Sequence, residues 1–385
     1  MTAAPEPPSA WLTTERVVLR RPRPDDLDDY VRLHTDPRTY AHAPATMPTA
    51  ERCRDRIAAD LTDWETSTLG YAAVVDRATG EVIGWAGLRH KDSDASTLNL
   101  YYRLAHDRRG GGLGREISRA LVAWCVEHCP GAIVTAMVDT VNTASLRTAA
   151  RAGLVQVGTR SAKDDVDREP MAYLQAPRVR VLPAAGADDL REAVVDLWVR
   201  VNDAGGSVGF LPGAPAADVS AALDRHLDDV RAGRSVLCVL VDPSADDADP
   251  ADSDVAGRGV ADAAADWWRS DGVPTRLRGL GFWEHSRGFP YDHLAGLKRL
   301  MVDPAAQGRN LGRLLLGGMV GVARRDLPWV ELLRLDYRDG LGLGDFYAKA
   351  GWSEVGRVPR GLRLSATDYR DDVAMARRVD GSPLR

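Results

Sequence analysis

Two glycine-rich runs, 198 positions apart, constrain the fold of this chain more than any other feature. Residues 109–114 read Arg-Gly-Gly-Gly-Leu-Gly, and residues 307–312 read Gln-Gly-Arg-Asn-Leu-Gly. Each run follows an apolar segment of strand type and precedes one of helix type. Each also has a further glycine 39 residues after its last one, at Gly153 and Gly351. One strand–loop–helix unit with a fixed distance to a second turn therefore occurs twice, which predicts two domains of the same fold.

Runs of apolar and β-branched residues extend the repeat on both sides of the loops. In the first copy they predict strands at Tyr71–Val75, Val82–Leu88, Thr97–Leu104 and Ile133–Val138. In the second copy they predict strands at Ser235–Val241, Leu277–Trp283, Leu297–Val302 and Val330–Leu335. The order of elements within each copy predicts an α+β fold, in which a mixed, mostly antiparallel sheet is flanked by helices.

The domain boundaries follow from comparing the two copies. The second copy is about 35 residues longer between its first helix and its glycine loop. The surplus falls in residues 242–274, which are rich in Asp, Ala and Gly and show no period, so we predict a flexible insertion there. We further predict an N-terminal tail at residues 1–12, a first domain at 13–175 and a second domain at 178–380.

Composition narrows the function. The net charge of −5 argues against a nucleic-acid-binding surface. The residue pattern predicts neither a signal peptide nor a membrane helix, which needs ~20 consecutive apolar residues. Four cysteines give no disulfide framework and no metal-ligand spacing, which favours a reducing, cytoplasmic location. We expect a monomer or homodimer whose partner is a small-molecule substrate, with no metal, nucleic acid or membrane.

The glycine loops favour phosphate binding, because the first N–H groups of a helix point at a ligand that the loop allows to approach. The spacing of a dinucleotide fingerprint and the Gly-Lys-Ser/Thr of a Walker loop are both absent. Asn310 replaces the third glycine of the first loop, but asparagine tolerates the left-handed backbone region. The predicted cofactor-binding residues are Arg109, Gly110, Gly111, Gly112, Leu113, Gly114 and Arg115, and Gln307, Gly308, Arg309, Asn310, Leu311, Gly312 and Arg313.

The first loop matches the Q/R-x-x-G-x-G/A signature of the GNAT superfamily of N-acetyltransferases, and the second matches it except for Asn310 at the first glycine of the signature. The chain resembles this superfamily over nearly its whole length. The first copy is similar to the branch that acetylates ribosomal-protein N-termini. The resemblance implies acetyl-CoA, or another acyl-CoA, as cofactor and direct transfer of the acyl group to an amine. It also implies that the strand before each loop contacts the cofactor and that its backbone holds the thioester carbonyl. The residues concerned are Leu104, Met301 and Val302.

The resemblance also implies catalytic residues. Tyr347, four residues before Gly351, matches the family's general acid, which protonates the departing thiolate and contacts the cofactor. The first copy has Ala149 at that spacing, so Ser145 and Asn142 are its candidates, with Asn142 also near the cofactor. An ordinary helix N-cap explains the Ser-Asn pair equally well.

The general base is the least defined part of the predicted site. The family's glutamate on the fourth strand is replaced by Asn99 in the first copy and Gly296 in the second. Glu284, at the end of the preceding strand, is a candidate that would act through water, although a surface role is as compatible with its position. Two functions stay open: an acetyltransferase acting on a small-molecule primary amine, or a CoA-binding regulatory or scaffold protein with one or both halves inactive.

Overall fold

The computed structural model describes residues 10–41, 43–91, 94–160, 170–243 and 277–384. The chain divides into two compact units. Within the described residues, the first unit comprises residues up to 125, 131–176 and Pro243, and the second comprises 126–130, 177–242 and the residues from 277 onward. Beyond Pro243, the predicted insertion lies outside the described residues. No helix in the described part of the chain has the length and hydropathy that a bilayer crossing requires.

The first unit is an eight-stranded sheet in the order β1-β2-β3-β4-β5-β6-β8-β7. Every neighbouring pair is antiparallel except β5 and β6. Residues 10–12 of the predicted tail belong to its first strand. In chain order the elements are β1 (Ala10–Thr13), β2 (Val17–Arg20), α1 (Leu27–His34), α2 (Ala50–Thr66), β3 (Tyr71–Asp76), β4 (Val82–Lys91), β5 (Asp94–Leu104), α3 (Leu113–His128), β6 (Ile133–Val138), α4 (Thr143–Ala152), β7 (Val155–Arg160) and β8 (Met171–Gln175).

The second unit repeats this topology in a seven-stranded sheet, in the order β14-β15-β13-β12-β11-β10-β9. Its one parallel pair among the described strands is β12 and β13. The elements are β9 (Arg178–Leu182), α5 (Ala184–Asp189), α6 (Arg191–Asp203), α7 (Ala216–Arg231), β10 (Ser235–Val241), β11 (Leu277–His285), β12 (Leu294–Val302), α8 (Leu311–Asp326), β13 (Leu332–Arg338), α9 (Leu343–Ala348), β14 (Ser353–Arg363) and β15 (Tyr369–Arg378). The predicted α+β class and all eight predicted strands are confirmed.

The parallel pair opens a gap in each sheet. β5 pairs with β6 only over residues 97–99, and β12 pairs with β13 only over residues 294–296. Beyond these residues the two strands part, so that the backbone of β5 or β12 faces the gap without a strand partner on that side. Because the glycine loop follows directly, each gap leads to the N-terminus of α3 or α8.

A glycine at the same place in each sheet allows a close approach of backbone to backbone. A Cβ on Gly84 would lie 2.6 Å from the carbonyl oxygen of Arg103, and one on Gly279 would lie 2.6 Å from that of Met301. Real Cβ atoms do not come this near to a carbonyl oxygen. The end of β5 or β12 therefore takes its path because the facing residue has no side chain.

We expect Gly84→Ala to destabilise the first unit by about 1–3 kcal/mol, because the added methyl group forces the end of β5 away from β4. Gly158→Ala on β7 is the matched control, since a Cβ at that position has no neighbour within 4 Å. Urea titration should show a lower midpoint for Gly84→Ala and a change below about 0.5 kcal/mol for Gly158→Ala. Equal midpoints for the two variants would contradict the steric argument.

Candidate functional site

A cavity of about 370 Å³ lies in the gap between β12 and β13. Its walls come from the end of α6 and the loop after it, from the parted strands, from the glycine loop and from α9. Five of the predicted site residues line it, namely Met301, Val302, Gln307, Gly312 and Tyr347. The structure therefore brings the second glycine loop and the predicted tyrosine together at one concave site.

The remaining predicted residues of the second loop do not line this cavity. Gly308 and Arg309 are exposed on the loop, whereas Asn310 and Leu311 are buried. The Arg313 guanidinium donates to the carbonyl oxygen of Lys349 at 2.7 Å, which ties the start of α8 to the end of α9.

The two loops have matching backbones despite their different sequences. Gly110 and Gly112 have φ values of 84° and 80°, and Gly308 and Asn310 have values of 79° and 67°. Asn310 thus adopts the left-handed conformation that the corresponding glycine takes in the first unit, which confirms that asparagine preserves this turn.

Tyr347 lies on α9 with 7% of its surface exposed. Its ring packs among those of Tyr337, Phe346 and Trp352, with centroids 5.0–6.2 Å away. Burial raises the pKa of its phenol above the ordinary value of 10.0. No described residue accepts a hydrogen bond from the hydroxyl. Tyr347 therefore presents to the cavity a phenol that stays protonated at neutral pH and that holds an unused donor.

A β-bulge in β12 shapes the other wall of the cavity. Leu280 pairs with Met301 while Phe282 pairs with Lys298, so two residues of β12 lie opposite the single Gly281 of β11. One of them, Arg299, has a φ of 56°, which is uncommon for a residue with a side chain. Its guanidinium lies over the Trp198 ring of α6, 5.5 Å from the centroid.

Arg299 connects the cavity to a histidine on α7. Its Nε donates to Nε2 of His226 at 3.3 Å, and Nδ1 of His226 lies 3.3 Å from the Glu284 carboxylate. A guanidinium has no acceptor, so Nε2 of His226 carries the lone pair and Nδ1–H donates to Glu284. This hydrogen bond lowers the pKa of Glu284 below its ordinary value of 4.5. The candidate base is therefore a carboxylate that the His226 imidazole orients, an arrangement that the sequence did not reveal.

A second cavity, of about 350 Å³, contains Glu284. Charged residues of three neighbouring strands line it: Glu284 on β11, Lys298 on β12, and Arg334 and Asp336 on β13. Leu335 and Asp336 line this cavity and also the one that contains Tyr347. The two cavities therefore meet at the same two residues of β13, beside the gap.

In the first unit, three arginines surround the glycine loop. A pocket there is lined by Gly110, Gly111, Gly112, Arg115, Arg147, Thr148 and Arg151. Among the described residues, none of these arginines has an ion-pair partner within 4 Å. The sequence analysis missed Arg147 and Arg151, which lie one turn apart on α4 and meet the loop only in the folded unit. A cluster of unpaired cations beside free helix N–H groups is a suitable phosphate site.

The structure places the other predicted loop residues of the first unit away from this pocket. Arg109 donates to the carbonyl oxygens of Leu104 at 3.2 Å and of Thr39 at 3.4 Å, and Leu104 itself is buried. Leu113 starts α3. Gly114 gives room to the ring of Tyr102, since a Cβ there would lie 3.1 Å from it.

Ser145 and Asn142 lie at the start of α4, across the gap from β5. The Asn142 side chain accepts from the Ser145 backbone N–H at 3.1 Å, so it is the N-cap of this helix. The Ser145 hydroxyl accepts from the Tyr102 hydroxyl at 3.2 Å. Tyr102 was not predicted, although its phenol is a better proton donor than a serine hydroxyl. Because this hydrogen bond joins β5 to α4, it bridges the gap of the first unit.

A buried carboxyl group lies under the sheet of the first unit. Asp60 of α2 is 1% exposed and accepts from the Trp85 indole N–H at 2.9 Å. Arg89 is farther away, at 3.4 Å. Burial outweighs both interactions and raises the pKa of Asp60 from its ordinary 3.8 to about 7. The folded unit therefore keeps the Asp60 carboxyl group protonated over a pH range in which the same group of the unfolded chain has lost its proton.

This shift predicts a pH-dependent stability. The stability that Asp60 contributes to the wild-type protein is lost as the pH rises from 3.8 to about 7, because the folded unit binds one more proton than the unfolded chain in that window. Asp60→Asn still accepts from Trp85 but does not titrate. The free energy of unfolding of the variant, relative to wild type, should therefore rise by up to about 4 kcal/mol across the window.

Urea titrations at several pH values check this prediction. Asp55→Asn, on the exposed face of the same helix, is the control and should leave the difference from wild type constant with pH. A flat difference for Asp60→Asn as well would show that Asp60 is ionised in the folded unit.

Comparison with known proteins places the first unit in a family. Residues 16–155 match a protein-family model described as acetyltransferase (GNAT) domain, which confirms the resemblance for this part of the chain. No curated protein matches the sequence significantly.

Three solved structures illustrate the structural likeness. A protein of Bordetella pertussis described as a GNAT-family acetyltransferase is 21% identical, with a TM-score of 0.37, and the match covers 43% of this chain and 98% of that one. A protein of Vibrio cholerae described as a ribosomal-protein-serine acetyltransferase is 17% identical, with a TM-score of 0.36, and the match covers 43% of this chain and 95% of that one. A microcin C7 self-immunity acetyltransferase solved with acetyl-CoA and AMP is 14% identical, with a TM-score of 0.38, and the match covers 44% of this chain and 96% of that one. Likenesses this weak identify neither a substrate nor a catalytic residue.

Proposed function

We propose that this chain, a GNAT acetyltransferase by its match over residues 16–155, transfers the acetyl group in its second unit, directly to a primary amine of a small molecule. The family's acyl donor is acetyl-CoA. The observation that carries the proposal is Tyr347, whose protonated, unpartnered phenol faces a cavity of about 370 Å³ that the second glycine loop also lines. Leaving-group protonation needs such a donor, and a purely structural cavity does not.

Each part of the second unit then has a role in the reaction. The N–H groups at the start of α8 hold the diphosphate of the donor. The backbone of β12 beyond Gly296 faces the gap and holds the thioester carbonyl oxygen. Glu284 takes a proton from the acceptor ammonium through water, which leaves the nitrogen lone pair free to attack the carbonyl carbon. As the C–N bond forms and the C–S bond breaks, the nitrogen loses its second proton to water, and Tyr347 gives its own proton to the departing sulfur and later regains one from solvent.

We also propose that residues 13–175 and 178–380 are two GNAT-like domains with different roles. The first has its arginine-lined loop for the phosphates of CoA, but Ala149 replaces the acid and the Tyr102–Ser145 hydrogen bond bridges its gap. It is therefore the slower or the structural domain. These features also support the second candidate function, a CoA-binding regulatory or scaffold protein.

Thiol release separates the two functions. The purified chain is mixed with acetyl-CoA and a panel of primary amines, and free CoA thiol and acetylated amine are both measured. We expect amine-dependent release that matches the product formed, above the rate without amine. Binding of CoA without release for any amine, including peptide N-termini, would favour the scaffold.

A further inference from the structure

We propose that the cavity of about 350 Å³ beside the gap of the second unit binds an acceptor that carries an anionic group as well as its amine. This inference rests on the proposed function and narrows its substrate class. The inference is based on the charged side chains of three adjacent strands and on the glycine between them.

A row of three residues crosses the sheet at this cavity. Glu284 pairs with Gly296, and Gly296 pairs with Arg334, so all three face the same side. Adjacent strands are about 4.8 Å apart, which puts the outer two backbones roughly 10 Å from each other. Gly296 leaves the floor between them open, since even an added Cβ would have no neighbour closer than 3.9 Å. The result is a groove with a carboxylate on one side and a guanidinium on the other.

The next row adds one charge of each sign. Lys298 on β12 and Asp336 on β13 lie two residues farther along, where the strands have parted, and both line the same cavity. Among the described residues, Lys298, Arg334 and Asp336 have no ion-pair partner within 4 Å, and Glu284 has only His226. Two acids and two bases that are not paired with one another match a ligand that itself carries both charges.

The position of Asp336 sets the direction of the ligand. It lines both cavities, so the ammonium group that it attracts lies on the side of Tyr347 and of the glycine loop. Glu284, which the His226 imidazole orients, is close enough to Lys298 for that ammonium group to lower its pKa further. The anionic group of the ligand is then left to Lys298 and Arg334.

The corresponding place in the first unit is filled. The row there consists of Arg89, Asn99 and Thr135. The Asn99 amide donates to the Tyr71 hydroxyl at 2.8 Å, and Arg89 lies over the Tyr71 ring, 4.6 Å from its centroid. A side chain thus occupies the position that Gly296 leaves open, and no carboxylate stands where Glu284 does. The groove is a feature of the second unit rather than of the repeated fold.

The test compares amines that differ only in the anionic group. The pairs are glycine with glycinamide, β-alanine with β-alaninamide, and O-phosphoethanolamine with ethanolamine, each assayed by acetyl-CoA thiol release. Wild type is compared with the double variant Lys298→Met, Arg334→Met. Arg363→Met, an exposed position on β14 outside both cavities, is the matched control. Since the two members of a pair differ in amine basicity, the readout is the ratio of wild type to variant for each member.

We expect the double variant to lower kcat/KM for the anion-bearing members by roughly tenfold to a hundredfold, the effect of losing one charge-assisted hydrogen bond. The neutral members should change several-fold less, because they share only the effect of Lys298 on the Glu284 carboxylate. Arg363→Met should change neither. Transfer to both members with equal ratios would overturn this inference and leave the proposed function standing. Transfer to no amine at all would overturn the proposed function, and the inference with it.

Discussion

Tyr347→Phe is expected to lower acetyl-transfer turnover by roughly a hundredfold to ten-thousandfold, the usual contribution of a positioned proton donor. The substitution keeps the ring among Tyr337, Phe346 and Trp352 and removes only the hydroxyl, so folding and cofactor affinity should change little. Because the pKa of the phenol is raised, the wild-type enzyme should show no loss of this acid through the neutral range. Steady-state thiol release with the best amine of the panel measures the effect.

Two control variants test whether the loss of turnover arises from the Tyr347 hydroxyl in the second unit. Tyr369→Phe removes a phenol from β15 of the same unit, outside the cavity, and should leave turnover within about twofold. Ser145→Ala should cost much less than Tyr347→Phe, because we propose that the first unit is the slower or the structural domain. Near-normal turnover in Tyr347→Phe, together with a large loss in Ser145→Ala, would move the reaction to the first unit.

Gly308→Val should lower the affinity of the second unit for acetyl-CoA by more than about a hundredfold. A branched side chain at a φ of 79° costs about 1–2 kcal/mol, and the displaced loop loses hydrogen bonds to the phosphates at about 1.5–3 kcal/mol each. Gly112→Val, at a φ of 80°, should do the same to the first unit. Isothermal titration of each variant with acetyl-CoA should show one class of binding site fewer than wild type.

Gly213→Val controls for backbone strain. Gly213 has a φ of 82° in the loop after α6, and no atom lies within 4 Å of a Cβ at that position. The variant should lose stability without losing cofactor affinity. If Gly308→Val bound acetyl-CoA as wild type does, the loop would not hold the phosphates.

The repeated, local features of this protein could be predicted from its sequence. The strands follow from apolar runs, and the left-handed turn at Asn310 follows from its alignment with Gly112. The fixed spacing to Gly351 was enough to place Tyr347 near the second loop, because a short helix and a turn leave little freedom between them. In each case the deciding contacts join residues close in the chain or related by the repeat.

The contacts that tune the site could not be predicted in this way. His226 reaches Glu284 because α7 packs on β10 and the His226 ring stacks on Phe282 of β11. Arg299 meets His226 because of a bulge whose sequence shows no glycine. Asp60 is buried through its contact with Trp85 on another element. Such contacts depend on the register of packed elements, which the pattern of apolar residues specifies only to within a turn. Arg109 illustrates the reverse case, since its place in the motif suggested phosphate and its hydrogen bonds go to carbonyl oxygens.

Acetyl transfer by the two loop variants tests most directly whether the reaction takes place in the second unit. Turnover is measured for Gly112→Val and for Gly308→Val at an acetyl-CoA concentration that saturates wild type. The account predicts that Gly112→Val keeps most of the wild-type turnover and that Gly308→Val loses nearly all of it. Loss in Gly112→Val with activity kept in Gly308→Val would contradict the account and assign the reaction to the first unit.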